Sequence, residues 1–176
     1  MDGVLQVSAK VVHGAAECTG NNFCGGRIVV PEFIILHTAA SGAAGVVWDV
    51  SCAEIDRWHR AEKWDCVGYH YVVRLSGKIE VGRAEWRQGA HCLGYNARSL
   101  GVCFSGHGDF MGWAGEQLES GLALVLALAV RYRIPACRVL GHRETGALKS
   151  CPGRLVNVGV VRKELESRGV PRDVLS

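Results

Sequence analysis

Residues 33–37 read Phe-Ile-Ile-Leu-His, a continuous apolar run that ends in a histidine. An uninterrupted run of this length, with no polar residue at alternate positions, predicts a buried strand. Pro31 cannot donate to the hydrogen bonds of a central strand, so the strand is predicted to start after it. His37 is therefore expected at the end of a buried strand, where α/β proteins build their sites.

The patterns on either side of this strand predict an α/β fold. The stretches 69–75 and 78–81 flank Ser76-Gly77 and predict a hairpin. Because strands and helices alternate along the chain, we expect one α/β domain with a mixed central sheet flanked by helices. Further strands are predicted at 100–105 and 138–140, and helices at 51–64, 116–133 and 160–168.

Three segments carry predictions about burial. Helix 51–64 places Ile55 and Trp58 on one apolar side. Helix 116–133 is apolar nearly all round in its middle, so it is expected to be largely buried. The small, glycine-rich stretch 41–47 is predicted to be a loop.

Composition limits the classes of protein that this chain can represent. Its 176 residues suffice for one domain, and 20 basic against 17 acidic residues give a net charge of +3. That balance gives no case for nucleic-acid binding, although it weakly suits an anionic polymer. The longest apolar run, 122–130, is too short for a membrane span. Residues 1–26 are the least patterned part and are predicted to be an extension before a domain at 27–176.

The chain has 8 cysteines but no N-terminal signal-peptide pattern, which predicts a reduced, cytoplasmic protein. Cys18 and Cys24 lie in a glycine-rich stretch and are left open as a pair, a second metal site or neither. The other cysteines outside the segment 149–151 are predicted to be buried small side chains: Cys52, Cys66, Cys92, Cys103 and Cys137.

Metal-competent side chains follow predicted strands at separate places. These are His37, His142 and the segment 149–151, which reads Lys-Ser-Cys. Two imidazoles and a thiolate form a three-ligand zinc set with a fourth position free for water. The alternative, two hydrogen-bonded histidines and a buried thiol, stays open on residue types alone.

Four blocks resemble one known family. They are ILHTAASG (35–42), WDCVGYHYVVRLSGKIEVGR (64–83), GAHCLGYNARSLGVCFSG (89–106) and LGHRETGALKSCPG (140–153). In this order they resemble the zinc-dependent N-acetylmuramoyl-L-alanine amidases, a family that includes the peptidoglycan recognition proteins and, most similar here, the phage endolysins. The resemblance implies the amidase fold over about residues 33–153.

The resemblance also implies roles for individual residues. His37, His142 and Cys151 correspond to the zinc ligands of the family, and Tyr69 and Lys149 to its catalytic residues. His91 and Asn96 correspond to the block that lines the substrate groove. The implied reaction is hydrolysis of the amide between N-acetylmuramic acid and L-alanine, with Zn²⁺ activating a water.

Other polar residues near these blocks have several interpretations. The general base is left unassigned, and Glu144 is either a partner of a ligand imidazole or a surface salt bridge. His59 is expected to be a packed histidine at the core boundary. His70 follows Tyr69 on a predicted strand, so its side chain is expected to point away from the site into the other layer.

The resemblance favours an endolysin that acts on bacterial peptidoglycan, functions as a monomer, and waits in the host cytoplasm for release through a holin. A cytosolic amidase that recycles wall fragments is the alternative, although such enzymes usually have Asp where Cys151 stands. A peptidoglycan-binding protein without activity is a third interpretation. No nucleic-acid partner or membrane span is expected, and residues 1–26 offer a surface for a protein partner.

Overall fold

The computed structural model describes residues 11–12, 30–43 and 45–173. Within these residues the helices are α1 (Cys52–Ala61), α2 (Gly115–Tyr132) and α3 (Val158–Ser167). The strands are β1 (Val11–Val12), β2 (Phe33–Thr38), β3 (Gly42–Ala43), β4 (Val46–Val47), β5 (Tyr71–Val73), β6 (Ile79–Val81), β7 (Ser99–Phe104) and β8 (Val139–Gly141). The main sheet has the order β1-β6-β5-β7-β2-β8, and β3 pairs with β4 in a separate ribbon.

The sheet is mixed, as predicted, because one hairpin interrupts a parallel arrangement. β5 and β6 pair antiparallel, with Tyr71 opposite Val81, whereas the other pairings in the main sheet are parallel. β2, which contains the apolar run 33–36, lies between β7 and β8 and starts two residues after Pro31. Ile34, Ile35 and Leu36 are fully buried there, because layers cover both faces of the sheet.

The two faces of the sheet build two hydrophobic clusters. Leu100, Val102 and Phe104 of β7 point toward α2 and α3, whereas Cys103 points toward α1. In β2, His37 lies two residues from Ile35 and so shares a face with it, and His37 pairs in register with Cys103. His37 and Cys103 therefore meet at the parallel pairing of β2 with β7, near the ends of both strands.

The predicted helices form, but their exposed faces differ from the expectations. A capping box of Ser51 and Glu54 starts α1. Ile55 is buried, whereas Trp58 is 45% exposed, so its assignment to the packed side was wrong. In α2 one stripe is buried and Val130 on the opposite side is 64% exposed, so the helix is covered on one face only.

Four of the five cysteines predicted to be packed are buried, namely Cys52, Cys66, Cys92 and Cys103. Cys137 is exposed, which corrects the fifth, because it lies in a 3-10 turn (Ala136–Arg138) that turns only Ala136 inward. The stretch 41–47, predicted to be a loop, contains the β3–β4 ribbon. Cys18 and Cys24 lie outside the described residues.

Val11–Val12, within the segment 1–26 that was predicted to be an extension, pair with Ile79 and Glu80 at the edge of the main sheet. None of the helices in the described part of the chain combines the length and apolar content that a membrane span requires.

Candidate metal centre and groove

Two neighbouring strands deliver the two histidines to one edge of the sheet. Leu36 of β2 pairs with Gly141 of β8, and the residues that follow them are His37, still in β2, and His142, which begins the 3-10 turn after β8. Their rings lie 4.7 Å apart between centroids. Residues separated by 105 positions in sequence are thus brought together by a single parallel pairing, which spacing alone could not reveal.

The loop after β8 adds a thiol to the two imidazoles. One ligand atom from each of His37, His142 and Cys151 lies within 4.8 Å of the others, and the Cys151 Sγ is 3.7 Å from the His37 Nδ1. Donor atoms on one tetrahedral zinc stand roughly 3.4–3.6 Å apart, given the usual Zn–N and Zn–S lengths. The donor set and its spacing therefore fit a zinc ion after small adjustments of side chains.

Arg143 holds the Cys151 loop against the turn that bears His142. Its backbone N–H donates to the Cys151 carbonyl oxygen at 2.7 Å. Its guanidinium donates to the carbonyl oxygens of Ser150 (3.3 Å), Val156 (2.7 Å) and Gly153. One side chain thus fixes both ends of the loop that presents the thiol.

Two further contacts fix the same loop from the β2 and β7 side. The Thr38 hydroxyl, one residue after His37, donates to the Pro152 carbonyl oxygen at 3.0 Å. Asp109 accepts from the Ser150 hydroxyl at 2.8 Å and from the Arg154 N–H at 2.6 Å. Protein contacts therefore hold the Cys151 loop from several sides.

Burial keeps both histidines in the form that binds a metal. It lowers the pKa of His37 well below its usual value, and the pKa is lowered further because a protonated His37 would be repelled by charge on His91, His142 or Lys149. Burial and Lys149 also lower the pKa of His142. Both imidazoles are therefore neutral at pH 7.

Burial has the opposite effect on the thiol of Cys151. It raises the pKa, with Thr38 and Lys149 acting against that rise. Metal binding at this site would accordingly release a proton from Cys151.

Tyr69 and Lys149 flank the three donors. The Tyr69 ring lies 5.1 Å from that of His37 between centroids. Burial, then the neighbouring thiols of Cys103 and Cys151, raise the pKa of Tyr69 well above its usual value, so the phenol keeps its proton. Lys149 is exposed and lines a groove next to His142.

This groove encloses about 510 Å³ and reaches the candidate metal site at His142. Its lining includes Trp64, His91, Asn96, His142, Thr145 and Lys149. His91 and Asn96 thus line the same groove as His142, and their role in binding substrate stays a prediction. The Asn96 Oδ1 accepts from the N–H groups of His91 and Cys92 at 2.8 Å, so it also shapes the loop.

The open assignments near the site are resolved by their contacts. Glu144 accepts from the Gly141 N–H at 2.7 Å and pairs with Arg162 at 2.9 Å, so it caps the turn and forms a salt bridge. The His59 Nδ1 accepts from the Gly68 N–H and its ring packs on Trp64, which confirms a packed histidine.

His70 differs from its expectation. Its ring is fully buried and lies 5.7 Å from that of His91, so it supports the site instead of pointing into another layer. The prediction failed because β5 begins only at Tyr71, and strand alternation does not yet apply to the two residues before it.

Sequence reasoning missed the loop anchors Thr38, Asp109 and Arg143. Arg143 and Thr38 stand directly after His142 and His37, and this adjacency to candidate ligands was the one signal available. Asp109 had no comparable signal, because its partners are a hydroxyl and a backbone N–H more than forty residues away.

Two imidazoles and a thiol meet where neighbouring parallel strands end, beside an open groove, and such a donor set could hold a metal ion. Residues 26–154 match the family model described as N-acetylmuramoyl-L-alanine amidase. The chain belongs to this family.

Curated relatives and solved structures agree with that assignment. The endolysin of Escherichia phage T7 is 36% identical over 126 residues, which cover 69% of this chain and 80% of the relative. The endolysin of Klebsiella phage KP32 is 34% identical over 124 residues, covering 68% and 78%. The amidase LysC from Clostridium intestinale URNW superposes with a TM-score of 0.70 at 26% identity, covering 78% of this chain and 87% of that one.

Drosophila peptidoglycan recognition protein SD superposes with a TM-score of 0.65 at 23% identity, covering 86% and 87% of the two chains. At that identity the likeness concerns the fold.

Proposed function

We propose that this chain is a zinc-dependent endolysin that hydrolyses the amide between N-acetylmuramic acid and L-alanine in bacterial peptidoglycan. The observation that supports it most directly is the convergence of His37, His142 and Cys151 at the edge of the sheet, with one ligand atom from each within 4.8 Å. Family membership and the phage relatives supply the substrate class.

The His-His-Cys set would hold Zn²⁺ with one position free. Zinc in such a site lowers the pKa of water and polarises a carbonyl group. A thiolate and two neutral imidazoles leave a net charge of +1 at the centre, so neighbouring groups are needed to stabilise negative charge that develops on the amide.

Lys149 and Tyr69 are the groups that we assign to this task. The ammonium of Lys149 lines the groove beside His142 and stabilises negative charge on the carbonyl oxygen of the scissile amide. Tyr69 retains its phenolic proton and orients the attacking water or moves a proton during the reaction. His91 and Asn96 shape the part of the groove that receives the substrate.

We further propose that the enzyme acts as a monomer, is held in the host cytoplasm, and reaches the wall through a holin. The catalytic domain then comprises residues 27–176, with residues 1–26 as an N-terminal extension that adds the short edge strand Val11–Val12 to the domain's sheet. The proposed location in the host cytoplasm is supported by the two phage relatives, which are named endolysins.

The test is release of free amino termini from purified sacculi, measured before and after removal of metal by a chelator. We expect release to be lost with the metal and restored by Zn²⁺. Cys151→Ser should abolish release, whereas Cys137→Ser, which changes the exposed thiol, is the matched control.

Release that survives chelation would exclude zinc dependence, and absence of release from zinc-loaded protein would exclude the amidase. Preference for soluble anhydro-muropeptides over sacculi would favour wall recycling. Binding to sacculi without release would indicate a recognition protein.

A further inference from the structure

The two ring nitrogens of His37 face different partners. Nδ1 faces the Cys151 Sγ at 3.7 Å, whereas Nε2 lies 3.0 Å from Nδ1 of His91. His37 is 1% exposed and His91 is 8% exposed, so water does not compete freely for this contact. If the nitrogen beside the thiol binds the metal, the other nitrogen is left to orient the ring.

The hydrogen bonds around His91 allow one consistent assignment of protons. A neutral His37 that binds metal through Nδ1 carries its proton on Nε2 and donates to His91 Nδ1. A neutral His91 must then carry its own proton on Nε2, which faces the Ser99 Oγ at 3.5 Å. The Ser99 hydroxyl donates in turn to the Tyr95 carbonyl oxygen at 2.8 Å, so its oxygen is free to accept. Every donor in this series meets an acceptor.

The fold holds the His91 ring in a slot between two glycines. A Cβ on Gly101 of β7 would lie 2.6 Å from the His91 Cδ2, and a Cβ on Gly89 would also overlap this ring. The backbone N–H of His91 is fixed at the same time by the Asn96 Oδ1 at 2.8 Å. A ring held this closely has the rigidity that an orienting group requires.

From this arrangement we propose that His91 is a positioning residue for the metal ligand His37, in addition to lining the groove. By accepting a hydrogen bond from the Nε2–H of His37 it holds Nδ1 toward the metal and makes that nitrogen a better metal donor. The inference rests on the proposed metal site.

Two substitutions with opposite expected results test it. His91→Leu removes the acceptor, and loss of such a partner typically weakens metal affinity by about 10–100-fold. His91→Asn places an amide oxygen near the former Nδ1 and should recover most of that affinity. The measurement is Zn²⁺ affinity by competition with a chromophoric chelator, with thermal unfolding of the metal-free proteins to verify folding. A His91→Leu protein that binds like the parent, or a His91→Asn protein no better than His91→Leu, would overturn the proposal.

The parent protein supplies a second test that involves no substitution. In the zinc-loaded chain labelled with ¹⁵N, imidazole nitrogen shifts should show His37 protonated on Nε2 and His91 protonated on Nε2 only. A proton on Nδ1 of His91 would contradict the assignment. Cys151→Ser distinguishes failure of the proposed metal site from failure of the positioning role of His91. If it binds zinc as tightly as the parent, both the metal site and this inference fail, whereas a weakened Cys151→Ser beside an unaffected His91→Leu removes the inference alone.

Discussion

The backbone N–H of Arg143 donates to the carbonyl oxygen of Cys151 at 2.7 Å, which ties the turn bearing one candidate metal ligand to the loop bearing another. The Arg143 guanidinium extends this connection to the carbonyl oxygens of Ser150, Gly153 and Val156. The relative position of His142 and Cys151 therefore depends on a residue that is not itself a ligand.

Arg143→Gln should weaken zinc binding while leaving all three ligands in place. The shorter amide cannot reach three carbonyl oxygens, so the Cys151 loop loses its fixed position, and loss of charged hydrogen bonds should lower the free energy of unfolding by about 1–3 kcal/mol. Zinc affinity and urea unfolding of the metal-free protein measure the two effects. Arg154→Gln removes the same charge from the same loop at a side chain that is 82% exposed, and should change neither. Equal behaviour of the two variants would refute this role for Arg143.

Lys149→Met should reduce turnover without reducing metal content. If its ammonium stabilises the developing oxyanion, its removal costs about 10²–10³-fold in kcat, as for other oxyanion donors. Because Lys149 lowers the pKa values of His37 and His142 as a nearby positive charge, zinc affinity should stay the same or rise slightly. Steady-state kinetics on a soluble muropeptide and metal analysis separate the two quantities. Lys163→Met, on the exposed side of α3, is the control, and a parallel loss of zinc and activity in Lys149→Met would contradict the assignment.

Tyr69→Phe removes a single hydroxyl from the site. Loss of a group that handles protons typically costs about 10²-fold or more in kcat, with KM and zinc content unchanged. Because burial and the thiols of Cys103 and Cys151 raise the pKa of this phenol above its usual 10, activity of the parent should not fall through ionisation of Tyr69 below that pH. The pH profile of kcat measures this. Tyr132→Phe, whose hydroxyl bonds Glu85, is the matched control. A Tyr69→Phe enzyme with full kcat would exclude a role in proton transfer.

Gly101→Ala should act on the metal through His91. The added methyl would stand 2.6 Å from the His91 ring, which must then move from the Nε2 of His37. Zinc affinity should fall about tenfold or more, although neither histidine is changed. Chelator competition provides the measurement, and Gly159→Ala in α3, whose methyl meets only the Asn157 side chain, is the control. Unchanged affinity in Gly101→Ala would show that the slot does not position His91.

The sequence predicted the parts of this fold that depend on local apolar pattern. The run before His37 became the buried strand β2, and the hairpin about Ser76-Gly77 formed as expected, because both signals lie within a few residues. Trp58 was assigned to the packed side from its helical spacing to Ile55, and Cys137 to the interior from its apolar neighbours, but the burial of both depends on which layer covers each face. The sequence around Trp58 or Cys137 does not indicate which face of the fold another layer will cover.

For the site, the resemblance supplied residues and the structure supplied their arrangement. His37 and His142 are neighbours because β2 pairs with β8 in a particular register. That register could not be deduced from the spacing of the two histidines in the sequence. Arg143 was missed because its partners are backbone carbonyl oxygens. Every residue has a carbonyl oxygen, so the sequence does not show which ones an arginine will bind.

Stability of the metal-free protein should fall as the pH drops from about 6.5 to 4. Burial lowers the pKa of His70 from 6.5 to about 4, while the unfolded chain keeps the higher value. In this interval the unfolded state binds a proton that the folded state excludes, so protonation favours unfolding and stability rises with pH. Linkage gives about 3 kcal/mol for a difference of this size. Urea unfolding at a series of pH values measures the slope, and His70→Gln should reduce it. A slope that is the same in parent and His70→Gln would mean that other groups, such as His37 and His91, account for the acid sensitivity.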